Sequence, residues 1–288
     1  MNFFCINRPG DNGKIIELFS KAARQREVEF IIVDPDKFSF VRGVNANPYD
    51  LLYRVRIINA RQALNIEKFL LNENQFATFY KDISSGIRRY GNVFDAPLIH
   101  KKHNLPIIKT IFSLTADKEL LKEYVDYLGG FPLIVKIAGG TGGVGVIKVD
   151  SFTSLISLAD VITRDSRIYV MRKFIKSKNH ARLIVLGDKV VASIENCVEK
   201  DDFRTGGTKV LNKKFGPEIE SIGVKAVNVL GLEFGGVDIL IDNDGVPYIT
   251  EVNYPCYFPS AQETTGVDIA GKMVDFLIAK SQAMQSKN

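Results

Sequence analysis

The sequence predicts a mixed α/β and α+β chain: a small domain on a mostly parallel sheet, followed by two lobes facing each other across a cleft. The first third alternates β-branched runs with amphipathic helical stretches, a glycine-dense stretch separates two short strands near the middle, and the final third holds two hairpin patterns. With 288 residues and 45% apolar content, the chain can fill more than one core.

Phe3–Ile6 reads as a strand, Ile15, Leu18, Phe19 and Ala22 share a helical face, and the run Phe30–Val33 is closed by Asp34-Pro35. Leu51–Ile58 and Phe76–Tyr80 are two further strand candidates flanking a polar-faced helix, so residues 1–97 are expected to form an N-terminal α/β domain. Beyond it, Leu121, Tyr124, Val125 and Leu128 mark a helix stopped by Gly129-Gly130, and Leu133–Ile137 is a buried strand. Val144–Val149 then reads as a strand and Leu155, Leu158, Ala159 and Ile162 as a helix, which makes residues 98–175 an antiparallel lobe. Residues 176–288 form the last lobe. Its hairpins run from Arg182–Leu186 to Val190–Ile194 across Gly187-Asp188, and from Val237–Ile241 to Val246–Val252 across Asn243-Asp244-Gly245. Helices marked by Ile219, Ile222, Ala226 and Val229 and by Ala270, Met273, Val274 and Leu277 cover them.

Lys and Arg number 38 against 33 acidic residues, a net +5 without a long basic block, so nucleic acid is not an expected partner. Cys5, Cys197 and Cys256 have no CxxC spacing and form no zinc pattern with His100, His103 and His180, which points to free thiols in a reducing compartment. No run is apolar enough to span a membrane and the N-terminus lacks a secretory pattern, so a cytoplasmic protein is expected, with a homo-oligomer left open.

The stretch Gly139-Gly140-Thr141-Gly142-Gly143-Val144-Gly145 lets backbone amides approach phosphate oxygens. It lacks the Lys-Ser/Thr of a Walker loop and runs into a strand rather than a helix, which excludes both the P-loop and the Rossmann fingerprint. Upstream, Lys136 stands in an apolar strand, an expensive place for an ammonium unless it emerges into a cleft and meets an anion; an outward-pointing edge lysine is the plainer alternative. In the second hairpin the turn sets Asp238 nearly opposite Glu251, and the period of two puts Asn253 on the same face. Two carboxylates and an amide oxygen, without His or Cys, suit Mg²⁺ or Mn²⁺ rather than zinc.

Over residues 98–280 the series Phe131-Pro132-Leu133-Ile134-Val135-Lys136, the glycine stretch, Phe203-Arg204, Gly235-Gly236-Val237-Asp238, Glu251-Val252-Asn253 and Thr264–Gly271 resembles the ATP-grasp fold, nearest to its RimK-type glutamate ligases. LysX-type ligases are similar in the last two motifs. The resemblance implies an ATP-grasp architecture: the N-terminal domain, a small lid lobe bearing the glycine loop and a C-terminal lobe bearing the metal. The implied reaction is ATP-dependent ligation of a carboxylate to an amine through an acylphosphate, with small-molecule, peptide or protein substrates.

By that resemblance Asp238, Glu251 and Asn253 hold Mg²⁺ or Mn²⁺, and Lys136 with the amides of Gly140, Thr141, Gly142, Gly143, Val144 and Gly145 holds the phosphates. Lys173, Phe174 and Ile175 present their backbone to the adenine edge, Arg182 and Arg204 stabilise the transferring phosphoryl group, and Arg54 lies near the carboxylate substrate. Three departures stand out. The family's first nucleotide lysine is missing, and Arg88 or Arg89, the nearest cations, is expected to reach the α-phosphate of the nucleotide in its place; Lys173 and His180 stand where the family has acids; and the segment after Arg204 lacks the usual Asn-Leu-His-Arg, leaving Lys209 to replace a charge. These departures motivate an alternative, a nucleotide-binding protein that has lost ligation and serves a regulatory or scaffolding role. The Tyr254–Glu263 segment, rich in aromatics, is expected to shape the acceptor pocket.

Overall fold

The computed structural model describes residues 1–56, 61–81, 95–137, 144–162, 169–177, 179–197 and 209–287. It contains three sheets. In the first, β1 (Asn2–Ile6) lies between β2 (Glu29–Val33) and β3 (Leu51–Arg54), all parallel, with helix α1 (Gly13–Arg24) as the β1–β2 crossover. This is the βαβ start expected from the sequence. Helix α2 (Arg61–Glu73) follows β3.

Phe76–Tyr80 departs from the expected strand and makes only isolated bridges, Leu51 with Ala77 and Tyr80 with Leu232. The cause is competition for its backbone. The Lys280 ammonium donates to the carbonyls of Thr78 and Tyr80 at 2.9 and 2.7 Å, and the Tyr80 amide donates to the Thr78 hydroxyl at 3.2 Å, so the ladder cannot continue. Lys280 also pairs with Glu233, which pins this segment to the last lobe.

Helix α3 (Asp95–Lys102) leads into a four-stranded antiparallel sheet in the order β4 (Thr110–Ile111), β7 (Tyr169–Lys173), β5 (Leu133–Ile137), β6 (Val146–Val149). Helices α4 (Lys118–Leu128) and α5 (Phe152–Ile162) pack on its one face. The Asp117 carboxylate caps α4 by accepting from the Glu119 and Leu120 amides, and Gly129 ends it in the left-handed region, as the sequence implied. β6 begins at Val146 rather than Val144 because Gly145, at φ +79, turns the chain so that its carbonyl accepts from the Ile137 amide at 2.9 Å.

The third sheet is antiparallel and runs β10 (Lys209–Asn212), β9 (Lys189–Cys197), β8 (Asn179–Leu186), β11 (Phe234–Ile241), β12 (Pro247–Asn253). Helices α6 (Pro217–Asn228), α7 (Pro259–Thr265) and α8 (Ile269–Gln285) complete the lobe. Both hairpins form where the turn residues placed them, each with one bulge: in β9 between the pairs Ile184–Ala192 and Val185–Val190, and in β12 between the pairs Asp238–Glu251 and Ile239–Ile249. One continuous core joins the N-terminal sheet to this lobe, including an edge contact of Phe19 with Phe258 at 5.5 Å, whereas the four-stranded sheet and its helices bury a separate core.

Candidate functional site

Alternation along a strand decides which side chains can meet in the cleft. In the five-stranded sheet Arg182 pairs with Asp238 and Asp238 with Glu251, so these three share one face, and Gly236 opposite Asn253 puts the asparagine on it two residues further along. In the four-stranded sheet Lys136 pairs with Val146 and Val170, and Ile134 with Arg172, so Lys136 and Arg172 share the face opposite that lobe's core. The two faces meet. Lys136 Nζ lies 3.7 Å from Glu251 Oε2, and Arg172 Nη1 donates to the Thr250 carbonyl at 3.1 Å.

Asp238 is the most restrained member of the site. Arg182 Nη1 donates to both of its oxygens at 3.0 and 3.2 Å, and Asn253 Nδ2 donates to one of them at 2.9 Å. Burial pushes the Asp238 carboxyl above its ordinary range, while the Arg182 charge opposes that shift. Asp238 in turn raises the pKa of Arg182 against the effect of burial, so the guanidinium stays charged. The other end of Arg182 reaches Cys256 Sγ at 3.5 Å and the Tyr257 carbonyl at 3.4 Å, which fixes the plane of the fork.

Glu251 is half exposed and Asn253 keeps its amide oxygen for another partner, so these oxygens with those of Asp238 can take a hard divalent cation that completes its shell with water or phosphate oxygens. Among the described residues no three His, Cys, Asp or Glu side chains converge, and the set here is two carboxylates and an amide. Two buried polar atoms in the cleft region have no partner among the described residues: Arg172 Nε and His180 Nδ1. His180 lies two residues before Arg182 on the same face, paired with Leu240, and burial lowers its pKa to about 4, leaving a neutral imidazole. Unused donors and acceptors beside a metal-ready hairpin fit a polyphosphate nucleotide with Mg²⁺.

The hinge is only partly free to meet a base. The Lys173 amide donates to the Lys109 carbonyl at 3.2 Å and the Phe174 amide to the Pro132 carbonyl at 3.4 Å, whereas the Ile175 amide has no backbone partner among the described residues. Lys173 is exposed, and the Lys148 ammonium stands 5.4 Å from the Phe174 ring centroid.

Arg54, which the resemblance puts near the carboxylate substrate, lies in the core. It is fully buried at the end of β3, with Nε donating to Glu67 at 2.7 Å. The aromatics of the Tyr254–Glu263 segment divide likewise: Tyr254 and Phe258 are core residues packed on the N-terminal domain, and Tyr257 is exposed. Val144 and Gly145 lead into β6 on the cleft's lid side. Gly140, Thr141, Gly142, Gly143, Arg89 and Arg204 lie outside the described residues, as does the side chain of Lys209 at the start of β10.

Residues 96–277 match the family model of the RimK-like ATP-grasp domain. A probable alpha-L-glutamate ligase of Legionella pneumophila is 27% identical over 210 residues, covering 71% of this chain and 68% of its own. The ribosomal protein bS6–L-glutamate ligase of Escherichia coli is 34% identical over 160 residues, covering 54% of this chain and 53% of that one. Among solved structures, a Chryseobacterium gregarium RiPP-associated ATP-grasp ligase in complex with ADP and a leader and core peptide superposes with a TM-score of 0.72 at 15% identity, covering 97% of each chain. The ATP-grasp ligase PsnB in complex with a minimal precursor, Mg and ADP gives 0.71 at 17% identity, again covering 97% of each.

Proposed function

Since the chain belongs to the RimK-like ATP-grasp family, as an ADP-forming ATP-dependent carboxylate–amine ligase, we propose that it joins an amino acid or peptide amine to a carboxylate, with its chemistry centred on the Arg182–Asp238–Glu251–Asn253 face. The observation that carries this reading is the convergence of those four side chains from three adjacent strands, with Lys136 reaching them from the opposite lobe.

A carboxylate does not acylate an amine in water because its leaving group is poor; ATP would supply the phosphoryl group that makes it a good one, and Mg²⁺ would neutralise phosphate charge. The protein's part is electrostatic and geometric. Asp238, Glu251 and Asn253 offer oxygens to the metal, and Lys136 neutralises terminal phosphate charge where it now faces Glu251. Arg182, already oriented by Asp238 and the Tyr257 carbonyl, presents a fixed guanidinium to the charge that builds on the transferring phosphoryl group and the tetrahedral oxyanion. Arg204 and Lys209 are assigned supporting charges, and the 140–145 amides the phosphate cradle, on the sequence motif alone. The Ile175 amide is the hinge donor left for the base.

Arg54, tied to Glu67 in the core, is assigned to shaping the substrate wall from behind. The relatives named for bS6 and for precursor peptides favour a peptide or protein amine or carboxylate over a purely small-molecule pair. Cys5, Cys197 and Cys256 are all free thiols, in keeping with the cytoplasm, and among the described residues no helix is long and apolar enough to cross a membrane.

Mg²⁺-dependent ADP formation in Asp238→Asn and Glu251→Gln tests the assignment. Each variant is expected to lose roughly 10²-fold or more, the usual consequence of removing a stabiliser of transition-state charge. Turnover near that of the unmodified protein in both would exclude the hairpin as the metal site.

A further inference from the structure

The lid side of the cleft carries a cation that the motif reading left without a role. Arg172 pairs with Ile134, two residues before Lys136, so it stands on the same face as Lys136 and one step nearer the hinge at Lys173–Ile175. Its Nη1 donates to the Thr250 carbonyl at 3.1 Å, and Thr250, the bulged residue beside Glu251, returns a hydroxyl bond to the Asp238 carbonyl at 3.0 Å. Its Nε is buried without a partner, and the side chain forms no ion pair with a described residue. Burial pushes its pKa below the ordinary value, and Glu251 opposes this.

A guanidinium has only donors, so a buried N–H left unused is costly until an acceptor arrives. No neighbouring backbone carbonyl serves Nε. The position also has a direction: the hinge lies on one side of Arg172, and Lys136 with the metal hairpin lies on the other. An acceptor between a base edge and metal-held terminal phosphates is the α-phosphate.

We propose that Arg172 is a nucleotide-binding residue, whose free Nε–H donates to an α-phosphate oxygen while Nη1 keeps its bond to Thr250 and so ties the lid strand to the metal hairpin. The inference rests on the ATP-dependent reading of the same cleft. Binding, rather than turnover, tests it: calorimetric titration of the full chain with Mg²⁺ and AMPPNP, for the unmodified protein, Arg172→Met and Arg172→Lys, together with a 7-deaza-ATP titration. Arg172→Met is expected to raise Kd at least about tenfold, Arg172→Lys by less because one donor survives, and 7-deaza-ATP should bind the unmodified protein as ATP does. Equal Kd values for the unmodified protein and Arg172→Met overturn the proposal. So does a loss with 7-deaza-ATP that disappears in Arg172→Met, because the acceptor would then be the purine N7. If Arg172→Met does not fold, Arg172→Lys with an unchanged melting temperature and unchanged Kd overturns it equally. An unmodified protein that binds no nucleotide would overturn the ATP-dependent reading and this inference together, whereas tight binding insensitive to position 172 would remove this inference alone.

Discussion

His180 and Arg182 stand two residues apart on one strand face, yet their environments treat charge in opposite ways. Asp238 gives the Arg182 guanidinium a partner and keeps it charged, while His180, with Nδ1 unpartnered among the described residues, is held neutral by burial. The sign of the pH dependence follows. The pKa of His180 falls from an ordinary 6.5 to about 4 on folding, so between these values the unfolded chain binds the extra proton and stability falls as pH drops. The contribution is about 3 kcal/mol at most, present in full above pH 6.5 and lost by pH 4. His100, lowered by burial despite its bond to the Ala226 carbonyl, adds in the same direction. Urea midpoints at neutral and mildly acid pH should therefore drop less in His180→Leu than in the unmodified protein; an identical drop would show that folding leaves the His180 pKa unshifted. At this scale the sequence was only half readable. Asp238, Glu251, Asn253 and Lys136 could be placed from alternation and cost of burial, because each depends on its own strand and turn. Arg172 could not, because its cleft orientation is set by pairing with Ile134 of another strand and its bond to Thr250 of another lobe.

At the scale of elements, the β11–β12 hairpin carries Asp238, Glu251 and Asn253, and its closest tolerance is at Gly236. A Cβ there would stand 2.4 Å from Cys256 Sγ and 3.2 Å from Arg182 Nη2, so glycine is required by the close approach of the segment after Asn253. Gly236→Ala should cost about 1–3 kcal/mol, as overpacking in a core does, and should lower Mg²⁺-dependent turnover by displacing Arg182. Adding Cys256→Ala should recover much of the stability, and denaturant midpoints of the two variants check this; a double variant no more stable than Gly236→Ala would place the strain elsewhere. The hairpins themselves were legible because their turns carry Gly187-Asp188 and Asp244-Gly245 between alternating runs, and Asp242 closes the second turn by accepting from the Asp244 and Val246 amides. The β12 bulge left no mark in the sequence, and β4, with two residues, is too short to give a periodic signal. Phe76–Tyr80 shows how a local pattern is overridden: its composition is that of a strand, but a lysine from the last helix holds the carbonyls a neighbour would need.

For the whole molecule, the decisive feature is the division into two cores. The N-terminal sheet and the C-terminal lobe share one, and the four-stranded lid lobe has its own, so the cleft lies between separately packed bodies. Among the described residues, Lys136–Glu251 and Arg172–Thr250 cross it beside the metal hairpin. Both crossing groups are cations on the lid side, and the other side offers carboxylates and a carbonyl, an arrangement in which bound phosphates and a divalent metal would interleave with charges already opposed. The change from a parallel sheet to antiparallel ones was readable from the sequence pattern, but the core shared by the first and third sheets was not, since it depends on contacts such as Phe19–Phe258 between distant segments. A carboxylate–amine ligase of this family activates its carboxylate by phosphoryl transfer for attack by the amine. Isotope transfer tests this: the full chain is incubated with Mg²⁺, ATP and a mixture of amino acids and peptides whose carboxylates carry ¹⁸O, and the released phosphate is analysed by mass. Phosphate carrying one ¹⁸O atom should form in step with ADP and be absent in Asp238→Asn; an amide product formed with ADP and unlabelled phosphate would rule out the acylphosphate route.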